Sequence, residues 1–336
     1  MAEHRPVAEH RQPPIESGAP ASSTGSTPPT PATGRRPVFL PNELDPTVFD
    51  EAFLRQLERL LLLMKAPVRG GLKGGRRSTK RGQSVEFADY RDYALGDDLR
   101  QLDWNILARL ERLFIKLYIE EEDVTVHLLL DASASMAAGR PAKLLFAKRA
   151  AAALGYIALA SEDRVVVSAL AGRTSRRMPG LRGSGRVFRL LANLSAIEAT
   201  PGPTDLLTAT RHALAGLTGR GIVILCSDLF DPAADRVIRD LAATGAEIIV
   251  LHVLAPDELE PDLSGDLRLV DAETGNGVDV TIDLPVLDGY RQRLAAWRDG
   301  LAAVAARRRV SYVPLASDLP IAELVFAELR RRRILG

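Results

Sequence analysis

VTVHLLLDASASM, residues 124–136, is an apolar run that ends in an aspartate, followed at alternate positions by two hydroxyl side chains. Val124, Val126, Leu128, Leu129 and Leu130 read as a short strand buried on both faces. Asp131 falls where that strand stops. If the chain then turns into a helix near Pro141, Asp131, Ser133 and Ser135 line one loop and can aim their oxygens at one spot. Hard cations such as magnesium take oxygen ligands in a near-octahedral set and keep some waters, so one carboxylate with two hydroxyls is half of such a set. The same residue types also cap the free N–H groups of a helix at a strand-to-helix junction. Taken alone, the stretch fits both uses.

Downstream the pattern alternates. Strands are predicted at Val124 to Leu130, Arg164 to Leu170, Gly221 to Ser227 and Ala246 to Leu254; GIVILCS and AEIIVLHVL are near-continuous apolar runs of the kind a covered parallel sheet uses. Helical periodicity lies between them at Pro141 to Ser161, Val187 to Leu194, Asp205 to Leu217 and Pro232 to Thr244. Such alternation implies right-handed crossovers and an α/β fold, a doubly wound, mostly parallel sheet with helices on both faces. A hairpin at Leu267 to Asp283, a long amphipathic helix at Leu287 to Arg309, a short strand at Ser311 to Leu315 and a closing helix at Pro320 to Arg333 complete the domain, 124–336.

Upstream, residues 1–42 are rich in Pro, Ser, Thr, Gly and Ala with hardly any large apolar residue, and read as a disordered tail. The segment 43–123 begins with a helix, Asp50 to Lys65, with Phe53, Leu54, Leu57, Leu60, Leu61 and Met64 at helical spacing, ended by Pro67 and the following glycines. Residues 69–82 form a glycine-rich basic loop that could hold a polyanion. It has no interleaved aromatics for base stacking, so nucleic acid is not the expected partner. A strand is expected near Val85 to Tyr90, a turn at Gly96 to Asp98, a strand or short helix through Trp104, and another strand in LFIKLYIEEE. On composition this region reads either as a surface for a partner or as a scaffold in which Asp97, Asp98 and Asp103 pair with Arg91, Arg100 and Arg109.

The chain's 336 residues carry a formal charge of +1, so any pull toward polyanions or membranes must be local. Cys226, the single cysteine, lies in an apolar run and reads as a small buried hydrophobe. Met1 to Pro14 has charges and prolines where a signal peptide needs an apolar core, and Ala150 to Ala160 is too short to span a bilayer. A cytoplasmic setting is the expectation.

In a doubly wound sheet, ligands bind beyond the carboxyl ends of the strands near a switch in strand order. Asp131 is at one such end and Asp228 at another, after GIVILCS, with Asp231 three residues on. The turn TPGPTDL, residues 200–206, places Thr204 just before a helix. Three loops therefore offer Asp131, Ser133, Ser135, Thr204 and Asp228 at one edge. This set, D-x-S-x-S, then a threonine, then an aspartate, resembles the metal-ion-dependent adhesion site of von Willebrand factor A-type domains. The resemblance implies a Mg²⁺ or Mn²⁺ ion approached directly by Ser133, Ser135 and Thr204, and held directly or through water by Asp131 and Asp228. One coordination position would stay open for an acidic side chain of a partner.

Glu86, Phe87, Arg91, Tyr93, Gly96, Asp97, Asp98, Arg100, Asp103, Trp104, Ala108 and Arg109 are similar to the signature E-F-x(3)-R-x-Y-x(2)-G-D-D-x-R-x(2)-D-W-x(3)-A-R of the bacterial domain-of-unknown-function family fifty-eight, in which it precedes an A-type domain. Pro203 departs from the glycine that such members often carry before T-D-L. Members are often encoded beside MoxR-type AAA+ ATPases. The resemblance therefore implies an adaptor or chaperone-like protein-interaction module whose partner is such an ATPase or its client, and it favours the partner-surface reading of 85–122.

Two other classes compete. An aspartyl-phosphate type of phosphoester hydrolase needs a second carboxylate two residues after the nucleophile, and that position is Ser133. No G-x-S-x-G elbow and no G-x-x-x-x-G-K-[ST] phosphate loop occur, and the five histidines show no zinc spacing. Polyanion binding through 69–82 is the other alternative. A non-enzymatic, metal-dependent module is the expected reading.

Overall fold

The structure is a computed structural model that describes residues 45–65, 86–94, 97, 102–110, 112–119, 124–215, 217 and 221–329. The tail 1–42 and the basic loop 69–82 lie outside the described residues.

The chain builds a mixed α/β fold around a mostly parallel sheet. β3 (Thr125–Asp131), β4 (Arg164–Ala171), β7 (Gly221–Ser227), β8 (Glu247–Leu254) and β11 (Ser311–Ala316) run parallel in the order β11-β8-β7-β3-β4. From β3 the chain moves to β4 on one side and then crosses back to β7 on the other. The crevice where strand order reverses therefore opens between the ends of β3 and β7, where Asp131 and Asp228 stand.

Strand alternation sends successive side chains to opposite faces. Val126, Leu128 and Leu130 of β3 join one core with α3 (Lys143–Ala160) and α4 (Val187–Ser195). Leu129 joins the other core, with α5 (Leu206–Leu214), α6 (Ala234–Ala243) and α8 (Leu284–Arg307). Helix α3 is buried almost all round. Ala147, Ala150, Ala151 and Ala153 have no exposed surface, so the helix lies close to the sheet. Gly155 continues that approach: a Cβ there would stand 2.7 Å from Leu190 Cδ2 of α4 and 3.1 Å from Leu128 Cδ1. Gly155→Val is therefore expected to destabilise the protein by roughly 1–3 kcal/mol through overpacking, read as a lower urea midpoint with an unchanged slope.

Helix α1 (Glu51–Lys65) belongs to the first core, since Phe49, Phe53, Leu57 and Leu60 are buried in it. Arg149 of α3 fastens its start by donating to Val48 O at 2.8 Å and to Asp50 Oδ2 at 2.9 Å. The signature region forms an antiparallel pair, β1 (Glu86–Asp92) and β2 (Phe114–Ile119), with α2 (Trp104–Leu110) between them. Arg91 pairs with Asp97 at 2.9 Å. Asp103 caps α2 through Ile106 N–H at 3.3 Å and accepts from Tyr90 OH at 3.1 Å. Trp104 stays 64% exposed, so the region holds both an ion-paired frame and an exposed aromatic.

The structure departs from the sequence reading in several places. Two short antiparallel strands, β5 (Thr174–Arg177) and β6 (Leu181–Arg182), pair with β4; their arginine-rich sequence carries no apolar alternation, because an edge strand needs little. The closing helix is α9 (Ile321–Glu323) running into a π-helical segment, Leu324–Leu329, and residues 330–336 lie outside the described set. α5 ends at Leu214 rather than Leu217. At the margin opposite β5, β11 carries Pro314, which has no N–H to offer a further strand. The predicted hairpin is present as β9 (Gly265–Val270) and β10 (Gly277–Ile282), a separate two-stranded sheet followed by α8.

Candidate metal centre

Asp131 is the last residue of β3, and its carboxylate is used twice. Oδ1 accepts from Ser133 N–H at 3.0 Å, which turns the chain, and Oδ2 accepts from Ser227 Oγ at 2.6 Å. The turn brings Ser133 Oγ and Ser135 Oγ to 3.0 Å from each other. Ser133 makes no side-chain cap to the 3₁₀ turn Ala134–Ala137 that follows. The capping alternative raised by the sequence thus holds only for the contact between Asp131 and the Ser133 N–H.

The second loop is tied to the first through backbone, Thr200 N–H donating to Ala132 O at 2.7 Å, and to the turn after β4, Asp205 N–H donating to Gly172 O at 2.8 Å. Asp205 then caps α5, accepting from Thr208 N–H at 2.9 Å. Thr204 is left on the rim. The third loop follows β7, where Asp228 Oδ1 accepts from Phe230 N–H at 3.1 Å. Asp231 accepts from Leu206 N–H at 2.9 Å and Ala233 N–H at 2.6 Å, stitching this loop to α5.

All five residues named from the sequence line one cleft, joined by Asp231, Phe230 and Glu273. Its free volume is about 10 Å³, room for about one water-sized particle. Asp131, Ser133 and Asp228 are buried. The Thr204 Oγ1 atom is buried and has no hydrogen-bond partner among the described residues, a state it shares there only with Thr210 Oγ1, which does not line the cleft; unsatisfied buried hydroxyls are rare in folded proteins.

Two buried carboxylates in one cleft repel. Burial first, and then the charge of Asp228, push the Asp131 carboxyl up to about 6, against the hydrogen bonds from Ser227 and Ser133. One cation is built in. Lys143, at the start of α3 and fully buried, donates from Nζ to Asp228 Oδ2 at 2.8 Å and also to Glu258 Oε1. Glu258 sits in α7 (Pro256–Leu259), where its Oε2 accepts from Ala255 N–H at 2.8 Å. Phe230 lies against the ammonium, 4.8 Å from ring centre to Nζ. Behind Asp228, buried His252 bonds its backbone O through Nε2 at 2.9 Å and Tyr312 OH through Nδ1.

The donor set suits a hard divalent ion. Its polar side chains among the described residues offer carboxylate and hydroxyl oxygens, with an orphaned hydroxyl and a carboxyl whose charge is unfavourable without a counter-ion. Among the described residues, no three His, Cys, Asp or Glu side chains converge tightly enough to hold an ion by themselves, so the serines and Thr204 would have to supply the remaining ligands.

The sequence reading missed Ser227, Lys143, Glu258, His252 and Glu273. Ser227 adjoins Asp228, and Lys143 is a charge at the start of a helix otherwise fit for burial, both visible signals. Glu258 in the short helix α7 and Glu273 in a polar turn carry no such signal, and only the fold brings them here.

Residues 89–299 match the profile of a family described as protein of unknown function DUF58. An uncharacterized protein of Mycobacterium tuberculosis is 28% identical over 314 residues, spanning 91% of this chain and 97% of that one. Among solved structures, the chain is similar to the conserved hypothetical protein BatB of Bacteroides thetaiotaomicron, with 18% identity, a TM-score of 0.39, and coverage of 63% of this chain and 98% of that one. It is also similar to an aerotolerance-related membrane protein of Bacteroides fragilis, with 20% identity, a TM-score of 0.37, and coverage of 57% and 91%. No helix among the described residues is long and apolar enough to cross a membrane.

Proposed function

The chain belongs to the DUF58 family, and from that premise we propose that it is a non-enzymatic, von Willebrand factor A-like module that uses a divalent cation, Mg²⁺ or Mn²⁺, to capture a carboxylate of a protein partner. The observation that carries this reading is the orphaned Thr204 Oγ1, buried in a cleft it shares with two serine hydroxyls and two carboxylates. Asp131, Ser133, Ser135, Thr204 and Asp228 would hold the ion. When bound, it supplies charge that lets an incoming carboxylate lose its water without the usual penalty.

The chain's own residues do the positioning. Ser227 orients Asp131. Lys143 takes Asp228 Oδ2, so only part of that carboxylate faces the cleft. His252 fixes the backbone from which Asp228 projects. Hydrolysis through Asp131 is disfavoured because Ser133 stands where a second carboxylate is needed to move the proton. A MoxR-type AAA+ ATPase or its client as the partner rests on the family resemblance of the sequence alone, and a cytoplasmic setting rests on the composition of the sequence.

Calorimetric titration of Mg²⁺ into wild type and Asp131→Ala tests the proposal. Saturable heat in wild type only is expected, together with stabilisation of wild type by about 2.7 kcal/mol at a hundred times Kd. Equal, negligible heats in both proteins would end the metal reading. Because Asp131 must be ionised to hold the ion and its carboxyl is pushed up to about 6, the affinity should also fall as pH drops below 6.

A further inference from the structure

The β9–β10 hairpin forms its own two-stranded sheet outside the parallel one, yet its tip returns to the rim of the cleft. Asp271 accepts at Oδ1 from Glu273 N–H at 2.9 Å and Thr274 N–H at 2.7 Å, and Gly275 closes the turn at φ +73°. Of the tip residues 271–276, Glu273 is the only one that is not exposed. Its Oε2 accepts from Thr204 N–H at 3.1 Å, the same residue whose hydroxyl has no partner, and its side chain forms part of the cleft wall. Its Oε1 has no hydrogen bond among the described residues.

This placement is electrostatically odd. The cleft wall already holds Asp131, Asp228 and Asp231, and Lys143 is engaged by Asp228 and Glu258. A fourth carboxylate delivered to such a wall gains little from one backbone N–H and is repelled by its neighbours, unless a cation lies between them. The hairpin is anchored at its base, where Ile282 is buried, but not toward its tip: the cross-strand pair Leu269 and Val278, and Val270 beside them, are 47%, 66% and 62% exposed, so little buried surface opposes the tip lifting away.

We propose that Glu273 is a resident, intramolecular carboxylate for this cleft, occupying the approach that an acidic side chain of a protein partner would use, and that the hairpin must move off before such a partner can bind. The proposal rests on the metal reading given above. It makes the hairpin a gate whose closed state the ion strengthens, and it predicts that a partner acid competes with Glu273 rather than entering an open position.

Hydrogen exchange on the full chain, with and without Mg²⁺, tests the gate in wild type, Glu273→Gln and Asp131→Ala. Glutamine keeps an acceptor for Thr204 N–H but loses the charge. In wild type, Mg²⁺ is expected to slow exchange several-fold both in the loops 131–136 and 200–206 and in the hairpin 265–282. In Glu273→Gln the loop protection should persist and the hairpin protection disappear. Loop protection without hairpin protection in wild type, or hairpin protection unchanged by Glu273→Gln, overturns the gate and leaves the metal reading standing. No Mg²⁺ effect in wild type, or an equal one in Asp131→Ala, overturns the metal reading and the gate with it. Acetate, the simplest carboxylate probe, titrated onto the Mn²⁺-loaded chain and followed by water-proton relaxation, should bind Glu273→Gln about tenfold more tightly, as expected if the resident acid occupies the site about nine-tenths of the time. Equal acetate affinities overturn the competition.

Discussion

Replacing Lys143 with methionine is expected to destabilise the fold by about 3–5 kcal/mol, the usual consequence of removing one partner from a buried ion pair. Lys143 has no exposed surface, and its ammonium meets Asp228 at 2.8 Å and Glu258 on the other side, with Phe230 against it. Methionine fills much the same volume, so packing changes little and the loss is electrostatic: the Asp228 carboxylate stays buried with only the Phe230 N–H to answer it. Urea unfolding in chelator measures this. Adding Asp228→Asn and Glu258→Gln to Lys143→Met should recover a large part of the loss, because the uncompensated charges are then gone. A single variant within 1 kcal/mol of wild type would show that the buried pair adds little net stability. If the metal reading holds, excess Mg²⁺ should narrow the deficit of the single variant, since the ion replaces part of the missing charge beside Asp228.

Acidification is expected to weaken the fold through His252 by on the order of 3 kcal/mol between pH 7 and pH 4. Burial holds this imidazole at about 4, well below its ordinary 6.5, despite the Asp228 carbonyl and charge beside it. Below pH 6.5 the unfolded chain takes up a proton that the folded chain refuses, so stability falls at about 1.4 kcal/mol per pH unit until the folded imidazole also protonates near pH 4. His127, likewise held at about 4 by burial and by Arg177 and Arg164, acts in the same direction. Asp131 acts oppositely: raised to about 6, it adds stability at low pH that is lost as pH rises through 6. The comparison that isolates His252 is therefore wild type against His252→Gln in chelator, because Gln stays uncharged and the other groups cancel. The variant's shortfall at pH 7 should shrink toward pH 4.5, and parallel stability curves would remove His252 as the cause. Protonation would also oblige Nδ1 to donate, breaking its present use as acceptor for Tyr312 OH, and would disturb the backbone that carries Asp228.

The elements that sequence foretold are those whose burial leaves a periodic mark. GIVILCS is β7 to the residue, and β3, β4 and β8 lie within a residue or so of their predicted bounds, because strands covered on both faces must be apolar throughout. The strands β5 and β6 were invisible for the converse reason: at an edge, TSRR and LR bury little and pair through backbone that any residue supplies. The site follows the same division. Asp131, Ser133, Ser135, Thr204 and Asp228 stand at strand ends and helix starts whose positions the strands dictate, so their convergence could be inferred from topology. Lys143 reaches Asp228 across 85 positions of sequence, and Glu273 reaches Thr204 across 69. No local pattern encodes either approach, since each depends on how a helix or a hairpin packs.

The margins of the sheet constrain how this chain can meet others. On one side the outer strand is four residues long and carries Arg176 and Arg177; on the other, Pro314 interrupts the row of donors. Arginine charge and a missing N–H both discourage a foreign strand from zipping on. Lateral extension of this central sheet by a foreign strand is thereby disfavoured. On the proposed reading, contact with a partner would use the loops crowning the strands, where an ion or the hairpin would switch it.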